Sequence, residues 1–240
     1  MLSRKALAAS VEAAGGGGVL LGYDVDTMVD GYDSTVLKTV TVNYPSGIQS
    51  GDLLVLVLAD DIGNRIDNTT PTFTGFTYVT ASANSSFLVG FKLYYRIANG
   101  TESGTITCNE TQLYVPAAIM ARFSLSNSLS AVDSNIYTDA SAVDPDPPSV
   151  TASTTGSEYL VVTAGIYDDG KFNGVQPISA PSGYTKVTDR GTIASSGSGS
   201  IALCLAYNLS ATQTNDPGSF SQNGTTSDCV GGITTVFTIA

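Results

Sequence analysis

Carboxylates are the side chains whose type and spacing come nearest to chemistry in this chain. Asp60-Asp61 and Asp168-Asp169 each close an apolar run, and Asp144 and Asp146 stand close together in a proline-rich stretch. Two carboxyl groups facing across a cleft can hydrolyse a glycosidic bond. Carboxylate oxygens on acidic loops can also bind Ca²⁺, although no EF-hand spacing is present. The plainest reading is that Asp ends strands readily and stays solvated there. That reading is preferred, with Asp60, Asp61, Asp168 and Asp169 kept as the calcium alternative and no residue assigned as catalytic.

Other chemistries lack their parts. The chain contains no histidine, which removes Ser-His-Asp and Cys-His nucleophiles and every His-containing metal site. Neither a phosphate-cradling loop nor a nucleophile elbow appears. Cys108, Cys204 and Cys229 have no zinc or disulfide-framework spacing and read as reduced thiols, with Cys204 a small core residue and a Cys108–Cys229 pairing the alternative, since those two lie in comparable late parts of the repeats. The expectation is a protein without a cofactor that is not an enzyme. Sugar recognition is a separate possibility, because tyrosine offers an apolar face and a polar edge. There are twelve tyrosines and no tryptophan, and Tyr94, Tyr137 and Tyr167 are the candidate glycan contacts.

The elements that must position these groups are β-strands. Only 13% of the 240 residues are charged and the net charge is −11, so a phosphate-tracking, nucleic-acid-binding surface is excluded as the main function. No apolar run is long enough to span a bilayer, and Glu12 and Gly15–Gly18 break up what would otherwise resemble a secretory leader. The chain also repeats itself in order. Gly51-Asp52-Leu53-Leu54-Val55 returns at Gly156-Ser157-Glu158-Tyr159-Leu160, Gly75-Phe76-Thr77-Tyr78-Val79-Thr80 at Gly183-Tyr184-Thr185-Lys186-Val187-Thr188, and Ala117–Leu125 at Gly231–Ile239. A unit duplicated in this way predicts an all-β fold, an antiparallel, jelly-roll-like β-sandwich of two repeated halves over about 31–126 and 149–240. Asp52–Leu58 reads as a central strand covered on both faces, Phe87–Ala98 as an alternating strand, and Ser126–Pro148 as the connection between halves. Gly191–Ser200 reads as a hairpin tip.

Residues 1–30 stand apart as an arm ahead of a 31–240 body. Ser3–Ala14 are good helix formers that Gly15–Gly18 would end, and so short a helix orders only against a partner. Leu2, Arg4, Lys5, Leu7, Val11, Val19, Leu20 and Leu21 are the expected partner-binding residues. This opening, with its Ala-rich stretch and Gly run, resembles the N-terminal arm of tailed-bacteriophage virion proteins. The Gly-Asp-Leu-Leu-Val and Gly-Phe/Tyr-Thr segments are similar to sandwich modules of phage tail, fibre and capsid-decoration proteins. The resemblance implies a non-enzymatic virion protein made in the host cytoplasm, joined to other capsid or tail proteins through its arm. It also implies a homo-oligomer, by analogy a homotrimer. The alternatives are a carbohydrate- or receptor-binding tail-fibre module that contacts a host surface glycan, and a carboxylate-dependent glycosidase. Neither nucleic acid nor membrane insertion is expected.

Overall fold

The computed structural model describes residues 18–26, 39–60, 73–83, 89–108, 113, 116–139, 144–168, 178–193, 200–222 and 229–240. In the first half the strands are β1 (Val19–Val25), β2 (Thr41–Asn43), β3 (Ser50–Asp60), β4 (Thr77–Ala83), β5 (Gly90–Asn99), β6 (Thr105–Thr107) and β7 (Ala117–Ser124). The second half holds β8 (Leu129–Asp139), β9 (Val150–Thr151), β10 (Glu158–Asp168), β11 (Ile178–Ser179), β12 (Thr185–Ile193), β13 (Ser200–Ser210), β14 (Thr214–Asn215), β15 (Ser221–Gln222) and β16 (Cys229–Ile239). No helix of the described residues is long and apolar enough to cross a membrane.

The expected antiparallel sandwich of two repeated halves is present, and each half supplies one whole sheet. The first sheet runs β1-β7-β3-β5-β4 and the second β12-β13-β10-β16-β8. Matching repeated segments pairs β3 with β10, β4 with β12 and β7 with β16, so the second sheet is the first read from its other edge. β4 consequently packs beside β8, and β1 and β7 beside β12. The halves are thus related by an approximate two-fold axis between the sheets, parallel to the strands. Strands of one half remain in one sheet instead of alternating between sheets as in a jelly roll.

Alternation built this core. Phe91, Leu93 and Tyr95 of β5 face the inter-sheet core, while Tyr94 on the opposite face joins a second cluster under the β2–β6 ribbon. Central β3 and β10 are buried on both faces, as their unbroken apolar runs predict. Two aromatic contacts cross the sandwich reciprocally. Tyr95 meets Phe237 edge-on at 5.8 Å, and Tyr207 meets Phe123 at 5.3 Å. Both residues of one pair are repeat counterparts of the other, through Tyr95-Arg96-Ile97 and Tyr207-Asn208-Leu209. The small covering ribbons repeat too: Thr41 and Thr107 hydroxyls meet at 3.0 Å across β2–β6, and Thr151 and Thr214 at 2.9 Å across β9–β14.

The repeated Gly-aromatic-Thr segment is a turn followed by a bulged edge strand. Phe76 N–H donates to the Phe73 carbonyl and Tyr184 N–H to the Pro181 carbonyl, each at 3.0 Å. Gly75 and Gly183 both have φ of 82°, the left-handed geometry that a type II turn demands at its third residue. Phe76 and Tyr184, both half-buried, then lead directly into β4 and β12. Register slips at Tyr78/Thr80 and at Lys186/Thr188, the same repeat position. Edge strands β1 and β8 are bulged as well, at Leu20/Gly22 and opposite Thr238/Ile239. All four sheet edges therefore carry the irregularity that discourages edge-to-edge pairing.

Two expected boundaries move. Val19, Leu20 and Leu21 do not belong to a separate arm, because Val19–Val25 is the edge strand β1 paired with β7. The Ser126–Pro148 connection contains β8, eleven residues paired along β16. β8 is the counterpart of β1, so the joint between halves is the short stretch after Ser124 and not the proline run. Leu2, Arg4, Lys5, Leu7 and Val11 lie outside the described residues.

Candidate functional site

Asp60 is not a solvated strand end. It is fully buried in β3, on the outward face with Leu56 and Leu58. Register places it diagonally from Lys92 of β5, which is also buried. Asp168 ends β10, its backbone paired to Ile201 and Cys229. Register sets Asp60 against Tyr167 rather than Asp168, so the two acids are not lattice equivalents. Asp61 and Asp169 lie outside the described residues. Among the described residues no group of three or more His, Cys, Asp or Glu side chains gathers as a metal site. All three cysteines are buried and free. Cys204 sits under β11, and burial pushes its thiol up to about 12.

Two of the tyrosines expected to touch glycan have no free face. Tyr94 is buried, its ring edge-on to Phe73 at 5.3 Å. Tyr167 is also buried and donates to Asp144 Oδ1 at 3.2 Å. Burial and the adjacent Asp144 carboxylate raise its hydroxyl far above the ordinary tyrosine value. Tyr137 is half-buried, and its hydroxyl accepts from Asp146 N–H. The acidic proline run is therefore a strap on the second sheet. Its prolines cannot join a ladder, so single side-chain and backbone bonds hold it: Ser219 Oγ donates to Asp146 Oδ1 at 3.1 Å, and Phe220 N–H donates to the Pro145 carbonyl at 2.8 Å. A paired hydroxyl under a strap was not readable from sequence, which gives tyrosine spacing but not what covers the ring.

What the described residues do build is a body with two different ends. Strand ends at Asp60, Ala83 and Gly90 share one level of the first sheet, and Asp139, Asp168, Ile193, Ser200 and Cys229 share one level of the second. Phe91 lies against Gly231, so these levels coincide and form a common far end.

The chain enters at the opposite, near end. Gly18 is buried, and a Cβ on it would lie 2.7 Å from Leu209 Cδ2 and 3.3 Å from Leu160. Eight residues later, just past β1, the chain is clasped to the second sheet again. The Asp26 carboxylate accepts Ala118 N–H at 2.8 Å and Arg190 Nη2 at 3.0 Å. The Asp26 side chain is fully buried in this ion pair, so β1 is fixed to both sheets before the rest of the body follows. The sequence signal for this clasp was absent, since Asp26 and Arg190 are 164 residues apart. No family model matches the chain, and neither a curated protein nor a solved structure matches it.

Proposed function

We propose that this protein is a non-enzymatic structural component of a tailed-phage particle, attached through its N-terminal segment and displaying the sandwich outward. The observation that carries this reading is the polarity of the body. The chain enters at one end, and the strand ends at Asp60, Ala83, Asp168 and Ile193 lie at the other. An anchor at the near end leaves the far end turned away from the particle. The duplicated core, strapped faces and four bulged edges suit a rigid, non-polymerising display unit. Assembly into a homo-oligomer, by analogy a trimer, then depends on the arm or the particle's own symmetry, where several weak attachments act together.

Removing residues 1–17 should give a folded protein that no longer joins particles assembled in its presence. Retained incorporation at the wild-type level would sink the anchoring role.

A second reading, a glycan- or receptor-binding tail component, is favoured by one residue. Tyr78 keeps 44% of its surface exposed, one turn of the pleat from the Arg96–Glu102 ion pair at 2.7 Å. Aromatic face and polar edge are then neighbours, as sugar binding requires. A glycan array on which wild-type protein and Tyr78→Ala give the same blank result would remove this reading.

A further inference from the structure

We propose that Asn99 is a latent site of self-modification, an asparagine that deamidates only when the turn guarded by Glu102 opens. Asn99 ends β5 at the near end, Gly100 follows it, and both residues are exposed. An asparagine followed by glycine is the pair most prone to cyclise, because no side chain hinders the attacking nitrogen. The Gly100 nitrogen attacks Asn99 Cγ and gives its proton to water, while the side-chain amide takes up a proton and leaves as ammonia. Water then opens the resulting succinimide to aspartate or isoaspartate.

Three features keep the reacting atoms apart. Asn99 is a strand residue paired with Ser50, and extended backbone turns the next nitrogen away from the residue's own Cβ. Its side chain is held elsewhere, because Oδ1 accepts Thr101 N–H at 2.9 Å and Thr101 Oγ1 at 2.6 Å. The nitrogen is held too. Glu102 Oε2 accepts Gly100 N–H at 2.9 Å, and Oε1 accepts Asn99 N–H at 3.0 Å. Arg96 Nη2 lies 2.7 Å from Oε1, and the Glu102 side chain is almost wholly covered. Burial raises the Glu102 carboxyl, but the backbone N–H groups and Arg96 outweigh it and hold it below its ordinary value. The guard is therefore anionic, and a fixed anion on the Gly100 N–H opposes removal of that proton. Reacting atoms must come within about 3–3.5 Å, which here requires breaking charge-assisted hydrogen bonds.

The second half supplies the contrast. It closes the equivalent turn with Ser210, whose hydroxyl accepts Thr212 N–H at 3.1 Å. Neither an asparagine-glycine pair nor a carboxylate occurs from Ser210 to Asn215. The carboxylate guard stands only where there is a reactive amide to guard. Modification is one-way. Isoaspartate adds an atom to the backbone between positions 99 and 100, so the spacing of the two amides that Glu102 bridges is lost. Arg96, which lies against Gly75, then loses its carboxylate.

Peptide mapping by mass spectrometry, on full-length protein incubated at neutral pH, tests this. Asn99 should convert at least about tenfold more slowly in the native protein than in the same chain held unfolded in urea. Glu102→Gln offers one oxygen where Glu102 has two, so one amide loses its acceptor. Asn99 in that variant should convert about tenfold faster than in native wild type. Amides of β16 should exchange with deuterium as in wild type, which separates opening of the turn from loss of the fold. Native conversion at the unfolded rate would overturn the proposal, as would Glu102→Gln converting at the wild-type rate. Should Glu102→Gln fail to fold or loosen β16, Thr101→Val removes one of the two donors to Oδ1 at an exposed position. That variant must then accelerate conversion, and the wild-type rate in it would equally overturn the proposal.

Discussion

At the scale of single residues, the two halves solve one structural position in two ways. Arg122 of β7 donates from Nε to Asp52 Oδ2 at 2.6 Å and from Nη1 to the Ser46 carbonyl at 2.8 Å. Both ionic side chains are nine-tenths buried. Register sets Arg122 against Val236 and Asp52 against Tyr159, and Val236 packs with Val150, Val161 and Tyr159. Breaking a buried pair leaves an uncompensated charge and costs about 3–5 kcal/mol, whereas replacing both partners with fitting neutral groups is often near neutral. Arg122→Ala should therefore destabilise the protein by about 3–5 kcal/mol in denaturant unfolding. Asp52→Tyr/Arg122→Val, which installs the second half's solution, should cost clearly less than that single change; an equal or greater loss would contradict it. Alkaline pH probes other buried groups. Burial holds the Cys204 thiol, ordinarily at 9.0, up at about 12, and Tyr184 also at about 12. Tyr167 is raised further, by burial and then Asp144. Each group is protonated more readily folded than unfolded, so its contribution is fully present below the unfolded value and disappears as pH rises through the folded one. Stability should fall from about pH 9 upward. Difference absorbance at 295 nm between wild type and Tyr167→Phe or Tyr184→Phe should show these two tyrosines ionising only with loss of the fold, and their titration near 10 in the folded protein would show the assignment to be wrong.

At the scale of elements, β3, β5, β7, β10, β13 and β16 were legible because their apolar residues either alternate or run unbroken, and because the chain states most of them twice. β1 and β8 were not. Each carries a bulge, and the extra residue shifts parity, so Leu129, Val132 and Ile136 reach the core at a spacing that is not period two. A two-residue periodicity therefore read β1 as part of an arm and β8 as a connection. The candidate site suffered differently: Tyr94, Tyr167 and Asp60 were nameable, but their covering layers come from distant sequence. The β1 correction has a direct test. Deleting residues 1–17 should leave the melting temperature almost unchanged. Deleting residues 1–25 removes β1, including Leu20 and Val25, which pack against the inter-sheet core. A fully buried aliphatic side chain contributes about 1.5–3 kcal/mol; these two are partly buried and contribute less, but the β7 ladder loses its partner as well. The longer deletion should unfold at a much lower temperature or be recovered insoluble, while equal melting of both would show that β1 adds nothing to the body.

For the molecule as a whole, the two-fold relation means that neither half encloses a core. The inner face of the first sheet, with Leu53, Val55, Val57, Ile119 and Phe123, is covered only by Leu160, Val162, Ile166, Leu203 and their neighbours from the second. Tyr95 and Tyr207 make the dependence reciprocal, each closing on the other half's phenylalanine. The Asp26–Arg190 clasp adds a polar link between sheets. Hydrophobic surface of this extent cannot remain exposed in a soluble folded sheet, so the repeat is a unit of sequence and of sheet, but not of folding. Cutting the chain in the short stretch between β7 and β8 separates the halves without interrupting a strand. Expressed alone, each half should lack a cooperative unfolding transition, and mixing or coexpression should restore one, with far-ultraviolet circular dichroism of the intact chain. The intact protein should unfold in a single step in which probes from both sheets coincide. Two separate transitions, or a half that melts cooperatively as a monomer, would show that the halves are independent domains and that the shared core is dispensable.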